Sequence, residues 1–426
     1  MDNFNEDLIF IQHNDKSHDI KQLTGITPAD VDKQAKACNG LKLEKYIAKT
    51  FMGLETVAAD ELTRLGAENV FVLCRAVEFW GTKELMYKVN YCVRTVLRVL
   101  KPVASFEFKT NEQFYKNIFR IPFEQYFSVD DSFCVHSIIN ESIFTNSQYA
   151  SLLTKDALCD RFRDKFDARP SVNKANPDIS IDVYVSGNKC NVSLDSSGAS
   201  LHFRGYKTSR HVAALNEVLA AGLIALSGWK ADCDFIDFMC GSATLPIEAA
   251  MLALNMPAGY FREQFGFMYW QDFDKKLWEN VKKEADNAMR DFEHQIYGSD
   301  ISFQYIKDAK ENIKKMRLNS FIRLFLKSFE DTEPERVPAH IIINPPYGER
   351  ISVQEIERFY QNIGNVLKHK YINCEAWVIS SNKTAMKNIG LRPAKKIKVF
   401  NAALECDFYK YELYEGSKKS KNNNKS

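Results

Sequence analysis

Four residues, Asn344-Pro345-Pro346-Tyr347, combine hydrogen-bond acceptors and an aromatic face on a backbone with little freedom. Proline has no N–H and a fixed φ, so Pro345 and Pro346 end the apolar run His340–Ile343 and hold the chain in a stiff, extended turn. The Asn344 side-chain oxygen and the Pro345 carbonyl could then accept from the N–H groups of one amine. An exocyclic amine on a nucleobase is a poor nucleophile because its lone pair is delocalised into the ring. Two well-placed acceptors would localise that lone pair towards an electrophile, so the task needs position more than a strong base. Tyr347 offers a face on which a base can stack, a contact worth roughly 1–3 kcal/mol. The plain alternative is an Asn-Pro-Pro turn with a packed tyrosine.

Two other stretches have the form of a ligand site. In "DFIDFMCGSATLPIEAA" a strand runs into a loop of small residues that opens a helix, with Pro246 in its first turn. Such a loop turns backbone N–H groups and a helix N-terminus towards a ligand beyond the strand ends. Its one glycine, Gly241, fits neither G-x-G-x-x-G nor a P-loop. The following strand ends in "YGSDIS", where Asp300 could grip the hydroxyls of a nucleoside ribose, cap the helix "QYIKDAKENIKKM", or do both; Ser302 is the other candidate cap.

Alternating strands and helices must position these residues. After "HFRGYK" comes an apolar helix, "NEVLAAGLIALSGW", and then the strands "CDFIDF", "QIYGSD", "IRLFLKSF", "HIIIN" and "EAWVISS", most followed by a helix. That order predicts an α/β, doubly wound, mainly parallel sheet, closed by a hairpin at "KIKVFNAALECDFYKYELY". Upstream, "KYIAKTF", "GLETVAADELTRLG" and "NVFVLCRAVEFWG" read as strand, helix, strand in a small α+β unit. A second α+β unit holds "SFCVHSII", a helix at "YASLLTKDALCDRFRDKF", and strands paired around Ser186-Gly187-Asn188. The expected divisions are an extension over 1–46, a small domain over 47–104, a second over 105–206, the large sheet over 207–415, and a disordered tail over 416–426. Every candidate ligand residue lies after residue 236, so a fragment starting near Thr208 is expected to bind the ligand alone.

With 426 residues, the chain is long enough for several domains. Its net charge of +2 announces no nucleic-acid binder, so any basic surface must be local. Ten dispersed cysteines with no C-x-x-C pair predict reduced thiols, no metal site and a cytoplasmic location. The start "MDNFNEDLIF" lacks the basic and apolar parts of a signal peptide, and no run of 18 apolar residues predicts a membrane span.

In this order the motifs resemble a known family, the class I S-adenosylmethionine-dependent methyltransferases that act on base amines. Within them the chain is similar to the THUMP-domain 23S ribosomal RNA guanine-N2 methyltransferases. The resemblance runs from Lys45 to Tyr414 and rests on "FMGLETVAADEL", "SLDSSGASLHFRGYK", "ALNEVLAAGLIALSGW", "DFMCGSATLPIEAA", "GSD" at 298–300 and "NPPYGER". It implies a ferredoxin-like domain, a THUMP RNA-binding domain and a seven-stranded Rossmann-like methyltransferase domain. It also implies that Asp237, Met239, Cys240, Gly241, Ser242 and Thr244 hold the methionine part of S-adenosylmethionine and that Asp300 holds its ribose. Asn344, Pro345, Pro346 and Tyr347 would hold and activate the amine. Three residues depart from the family pattern: Phe238 for proline, Ala243 for glycine, and Ser328 where an acid commonly contacts adenine, which leaves Ser328, Glu330 or Asp331 for that contact.

For RNA, "HFRGYKTSRH" supplies Arg204, Lys207 and Arg210 as candidate phosphate ligands, with Arg204 alternatively pinning a domain junction. The cluster Arg161, Arg163, Lys165, Arg169 and Lys174 could also bind phosphate, but it is interleaved with acids and reads first as a solvated helix face. "FGFMYWQDFD" forms either a lid over the base or the core of an insertion. Ribosomal RNA is the expected partner. The rivals are a transfer RNA, DNA adenine-N6 methylation, and a non-catalytic RNA-binding assembly protein; the oligomeric state is not legible.

Overall fold

The computed structural model describes residues 42–207, 215–348, 352–402 and 404–415. Most of the expected extension, Arg210, Glu349, Arg350 and the expected tail lie outside the described residues. Strands β1 (Glu44–Lys49), β2 (Glu68–Leu73), β3 (Ala76–Gly81), β4 (Arg98–Glu107), β5 (Ser132–Asn140), β6 (Ser171–Val172), β7 (Ile179–Ser186) and β8 (Lys189–Asp195) form one sheet in the order β2-β3-β1-β4-β8-β7-β5-β6.

Two features of this sheet differ from the sequence reading. "NVFVLCRAVEFWG" is the hairpin β2–β3, not one strand, because Arg75 adopts a left-handed φ of 57° and turns the chain back. More consequentially, β4 runs through the boundary expected at residue 104, pairing with β1 on one side and β8 on the other. Pro102 lies within β4 where the β4–β8 register shifts, and a bulge tolerates a residue that cannot donate. The helices Lys83–Cys92 and Asn111–Phe119, which the sequence reading did not separate, start at Thr82 and Thr110, whose side chains accept from Leu85 and Gln113 N–H.

The second sheet comprises β9 (Asp234–Asp237), β10 (Ile296–Asp300), β11 (Ile322–Leu326), β12 (Ala339–Ile343), β13 (Glu375–Ser380), β14 (Lys395–Asn401) and β15 (Leu404–Glu412) in the order β11-β10-β9-β12-β13-β15-β14. The first five are mutually parallel; β15 is antiparallel to β13, and β14 to β15. This is the expected doubly wound α/β fold with its closing hairpin. Chain order reverses between β9 and β12, which opens a crevice at their carboxyl ends. One apolar face packs on the helices Glu217–Ser227 and Thr244–Ala253, the other on Val353–Lys370. His340 is a core residue in β12, its Nε2 2.8 Å from the Ser227 hydroxyl, and burial pushes its pKa down to about 4.

The two sheets meet through close packing. Leu54 presses on Gly222, where an added Cβ would lie 2.5 Å from Leu54 Cδ1. The insertion between β9 and β10 contains the helix Lys275–Asn287, which packs on Lys83–Cys92. Tyr87 stacks on Phe267 with centroids 4.4 Å apart, Tyr91 meets Trp278 edge-on, and the Tyr91 hydroxyl donates to Asp286 at 2.6 Å. "FGFMYWQDFD" is therefore interdomain core and not a lid.

Arg204 is 1% exposed, and its guanidinium donates to Glu248 Oε1 at 3.1 Å and to the carbonyls of Leu201 and Arg94 at 2.6 Å each. With its donors used inside the protein it has none to offer a phosphate, so it pins the domain junction. Lys207 also turns inward, onto Glu217 at 3.1 Å and the Leu215 carbonyl at 3.0 Å. The expected independence of a fragment from Thr208 is opposed by this packing, because such a cut strands Glu248 without its partner. We expect Glu248→Ala to lower unfolding stability by about 3–5 kcal/mol, since a buried guanidinium loses its counter-charge. Glu248→Gln, which keeps an acceptor, should lose less; urea denaturation of the full chain measures both.

Candidate active site

The loop after β9 is held by its own backbone and by Asp300. Asp237 Oδ1 accepts from Met239 N–H at 3.1 Å, and Cys240 N–H donates to the Ser299 carbonyl at 3.0 Å. Gly241 N–H donates to Asp300 Oδ2 at 3.0 Å, while Ser302 N–H donates to Oδ1 at 2.9 Å. Asp300 thus ties the tips of β9 and β10 together, and the N-cap of the next helix is Ser302, whose hydroxyl accepts from Tyr305 N–H. The Ser242 carbonyl accepts from the buried Asn312 side chain at 3.1 Å. Asn312 was missed in the sequence; a polar residue at a core-facing helical position was the available signal.

The departures from the family pattern have local explanations. Phe238 is 1% exposed and packs its ring near Phe329 and Tyr371, with centroids 6.1 and 5.5 Å away, so it belongs to the apolar face beneath the site. Ala243 has φ 68°, ψ 32°, a left-handed conformation in which glycine is unstrained and alanine is not. Ser328 caps the short turn Phe329–Asp331, and Glu330 accepts from the Asn362 side chain at 2.9 Å. Beside these, Ile301 and Leu326 expose 77% and 51% of their surface where β10 and β11 end, an apolar wall next to Asp300.

Across the switch point, Asn344 follows β12, whose register pairs Ile341 with Ile236 of β9. Neighbouring strands lie about 4.8 Å apart, so Asn344 stands beside the Phe238–Ala243 loop. Three groups fix the turn: the Pro346 carbonyl accepts from the Tyr360 hydroxyl at 3.2 Å, the Tyr347 carbonyl from the Asn382 side chain at 3.0 Å, and Gly348 takes a φ of 97°. Tyr347 is not an open platform in this conformation. Its hydroxyl donates to Asn344 Oδ1 at 2.8 Å and lies 3.9 Å from Cys406 Sγ, and burial pushes its pKa well up. Asn344 Oδ1 therefore already accepts one hydrogen bond.

The proposed solvated cluster is ion-paired: Arg161 is bidentate to Glu124 at 2.6 Å per contact, Lys165 shares that carboxylate, and Arg163 pairs with Asp160 at 2.6 Å. Among the described residues, no helix is long and apolar enough to cross a membrane and no group of three or more His, Cys, Asp or Glu could hold a metal ion.

Comparison with known proteins gives the site its context. Residues 45–100 match the RlmL ferredoxin-like domain, 108–195 the THUMP domain, and 204–410 the RMKL-like methyltransferase domain. A candidate RNA methyltransferase of Synechocystis sp., slr0064, is 38% identical over 371 residues, covering 87% of this chain and 97% of that protein. The chain belongs to the THUMP-containing, RMKL-like methyltransferase family. A ribosomal RNA large subunit methyltransferase K/L of Psychromonas ingrahamii is 35% identical over 375 residues, covering 86% of this chain; the chain spans 50% of that relative's length. Among solved structures, SMU.472, a candidate methyltransferase complexed with SAH, superposes with TM-score 0.80 at 26% identity, covering 88% of this chain and 99% of that one. A protein of Listeria monocytogenes, described as a candidate N6-adenine-specific DNA methylase, gives 0.79 at 27% identity, covering 87% and 97%.

Asp237 generates a pH prediction. Complete burial, reinforced by the nearby Asp300 charge, pushes its pKa up to about 8, although the Met239 N–H opposes the shift. Between about pH 4 and pH 8 the folded chain therefore keeps a proton that the unfolded chain has released, and stability falls as pH rises. Asp237→Asn should flatten that slope, as read from urea midpoints at pH 5.5 and 8.

Proposed function

We propose that this chain methylates the exocyclic N2 amine of a guanine in large-subunit (23S) ribosomal RNA, with S-adenosylmethionine as methyl donor. The observation on which this rests is the placement of Asn344 beside the Asp300-braced Gly241 loop, on the two strands that flank the switch point. The choice of ribosomal RNA is supported by the K/L relatives and the THUMP match. In this reading residues 47–104 and 105–206 deliver RNA and 207–415 perform the chemistry.

The residues present fit the cofactor. Space lies open beside Gly241, with no atom within 4 Å of an added Cβ, so the loop can be approached closely. Asp300 uses one acceptor site of each oxygen on the loops and keeps others for ribose hydroxyls. Ile301 and Leu326 offer apolar surface for a ring. Asp237, Met239, Cys240, Gly241, Ser242 and Thr244 would hold the methionine part, Asp300 the ribose, and Ser328, Glu330 or Asp331 the adenine edge. The cofactor, when bound, supplies a methyl group on a positively charged sulfur.

Asn344 Oδ1 and the Pro345 carbonyl would accept from the guanine amine and turn its lone pair towards that methyl; transfer would be a direct displacement, the N–C bond forming as the S–C bond breaks to leave a neutral thioether, and the extra amine proton would then pass to water. Asn344 Oδ1 has a second lone pair to accept from the amine while the Tyr347 hydroxyl holds the first. A guanine inside a helix must be flipped out to enter. The Listeria structure's description keeps DNA adenine-N6 methylation as a rival, and a transfer RNA or a non-catalytic role are the others. Mass analysis of nucleosides in ribosomal RNA, transfer RNA and DNA from a deletion strain separates them: loss of N2-methylguanine from ribosomal RNA alone is expected.

Asn344→Ala should abolish transfer and leave cofactor affinity nearly unchanged, and calorimetry with a radiolabelled methyl assay checks both. Asp300→Ala should weaken cofactor binding first, by about 1.5–3 kcal/mol, through loss of a charged acceptor. Tyr347→Phe should keep most activity, because the ring remains. Tyr347→Ala should raise the KM for RNA about tenfold or more through loss of the stacking face.

A further inference from the structure

The inward turn of Arg204 and Lys207 leaves a question that rests on the RNA reading: which cations beside the pocket meet phosphates? The chain from 383 to 412 is rich in them, with Lys383, Lys387, Arg392, Lys395, Lys396, Lys398 and Lys410 against Glu405, Asp407 and Glu412. The short helix Lys383–Asn388 lies over the β14–β15 hairpin, and between them is an open depression of about 280 Å³ lined by Lys383, Met386, Lys387, Lys396, Asp407 and Tyr409, among others. Lys383 and Lys398 share the single carboxylate of Glu405, at 2.9 and 3.1 Å, which leaves an excess of positive charge. Lys396 Nζ lies over the half-buried Tyr409 ring, 4.9 Å from its centroid, which fixes that charge at the edge of the depression.

Two links join this depression to the proposed chemistry. Asn382, immediately before the helix, donates to the Tyr347 carbonyl at 3.0 Å, and Cys406 on β15 lies 3.9 Å from the Tyr347 hydroxyl. The basic patch is therefore built on the same two elements that support the Asn-Pro-Pro-Tyr turn. Lysines on the edge strand β14 also discourage edge-to-edge pairing, which accounts for Lys396 and Lys398 but not for Lys383 and Lys387 on the helix facing the same hollow. Lysines around a half-buried tyrosine suit a single strand, whose phosphates meet the charges while a base edge reaches the uncovered part of the ring.

We infer that the depression between the Lys383–Asn388 helix and the β14–β15 hairpin is a second RNA-docking site, which holds the single-stranded segment flanking the target nucleotide. The test is a full-length Lys383→Glu, Lys387→Glu, Lys396→Glu triple variant beside a triple Lys→Arg variant. Large-subunit ribosomal RNA from a strain lacking the enzyme is the methylation substrate, and a labelled single-stranded RNA 12-mer is the binding probe. The glutamate variant should bind the 12-mer at least about tenfold more weakly, with a log–log salt slope shallower by about 2, as expected for three lost phosphate contacts on a single strand. Its KM for RNA should rise while kcat and cofactor affinity hold, and the arginine variant should behave like wild type. A glutamate variant with unchanged binding, slope and KM would overturn the docking site and leave the RNA reading intact. A wild-type protein that neither binds nor methylates RNA would overturn both. Equal losses in the arginine and glutamate variants would assign the effect to packing and would also overturn the proposal.

Discussion

A guanidinium and a carboxylate shut away from water hold the molecule together. Arg204 comes from the end of the N-terminal half; Glu248 lies one turn into the helix that starts at Thr244. A charge buried without its partner is far less favourable than either residue exposed, so the two halves approach until the pair forms and the remaining donors find the carbonyls of Leu201 and Arg94. Everything at the candidate site follows from where that helix starts. The loop from Phe238 to Ala243 feeds directly into it, and Asp300 and Asn312 brace the loop from the next strand and helix. A change at the junction is thus transmitted to the loop through a single helical turn.

The parts of this architecture visible in the sequence are those set by near neighbours. A small-residue loop between an apolar strand and a helix, an acid at a strand tip and a proline pair ending a buried strand are local patterns, and β9, β10 and β12 carry them as read. The closing hairpin was legible for the same reason. What escaped depends on partners far along the chain. Arg204 reads either as a phosphate ligand or as a pin at the domain junction, and only Glu248 and Arg94 decide for the second. The insertion's aromatics could not be told from a lid because Tyr87 and Tyr91, which they pack on, lie about two hundred residues earlier. The boundary expected at residue 104 falls inside β4, whose pairing with β1 and β8 depends on residues far along the chain.

The site itself shows the same division. The residue types at Asn344–Tyr347 pointed to an amine held by acceptors and a ring, yet the orientation of the ring depends on β14 and β15 and on Asn382, none of which the motif mentions. Tyr347 faces inward because Asn344 and the hairpin offer its hydroxyl polar company and its ring an apolar seat. Phe238 is the complementary case: a departure from the family pattern in the loop, it becomes ordinary once Phe329 and Tyr371 are seen to pack around it.

The passage of β4 through both α+β units has a geometric consequence. A strand shared by two modules makes them one plate, and the insertion's aromatic packing fastens that plate to the catalytic sheet at a second point. The separation between the THUMP surface and the Asn344 turn is then a fixed length rather than the average of a swinging tether. A rigid spacer makes effective concentration nearly all or nothing: an RNA whose two contact regions match the span meets both at once, and one whose regions do not match meets only one. On the proposed RNA reading, selection of the nucleotide would be a measurement of distance through the folded RNA, made before any base edge is read.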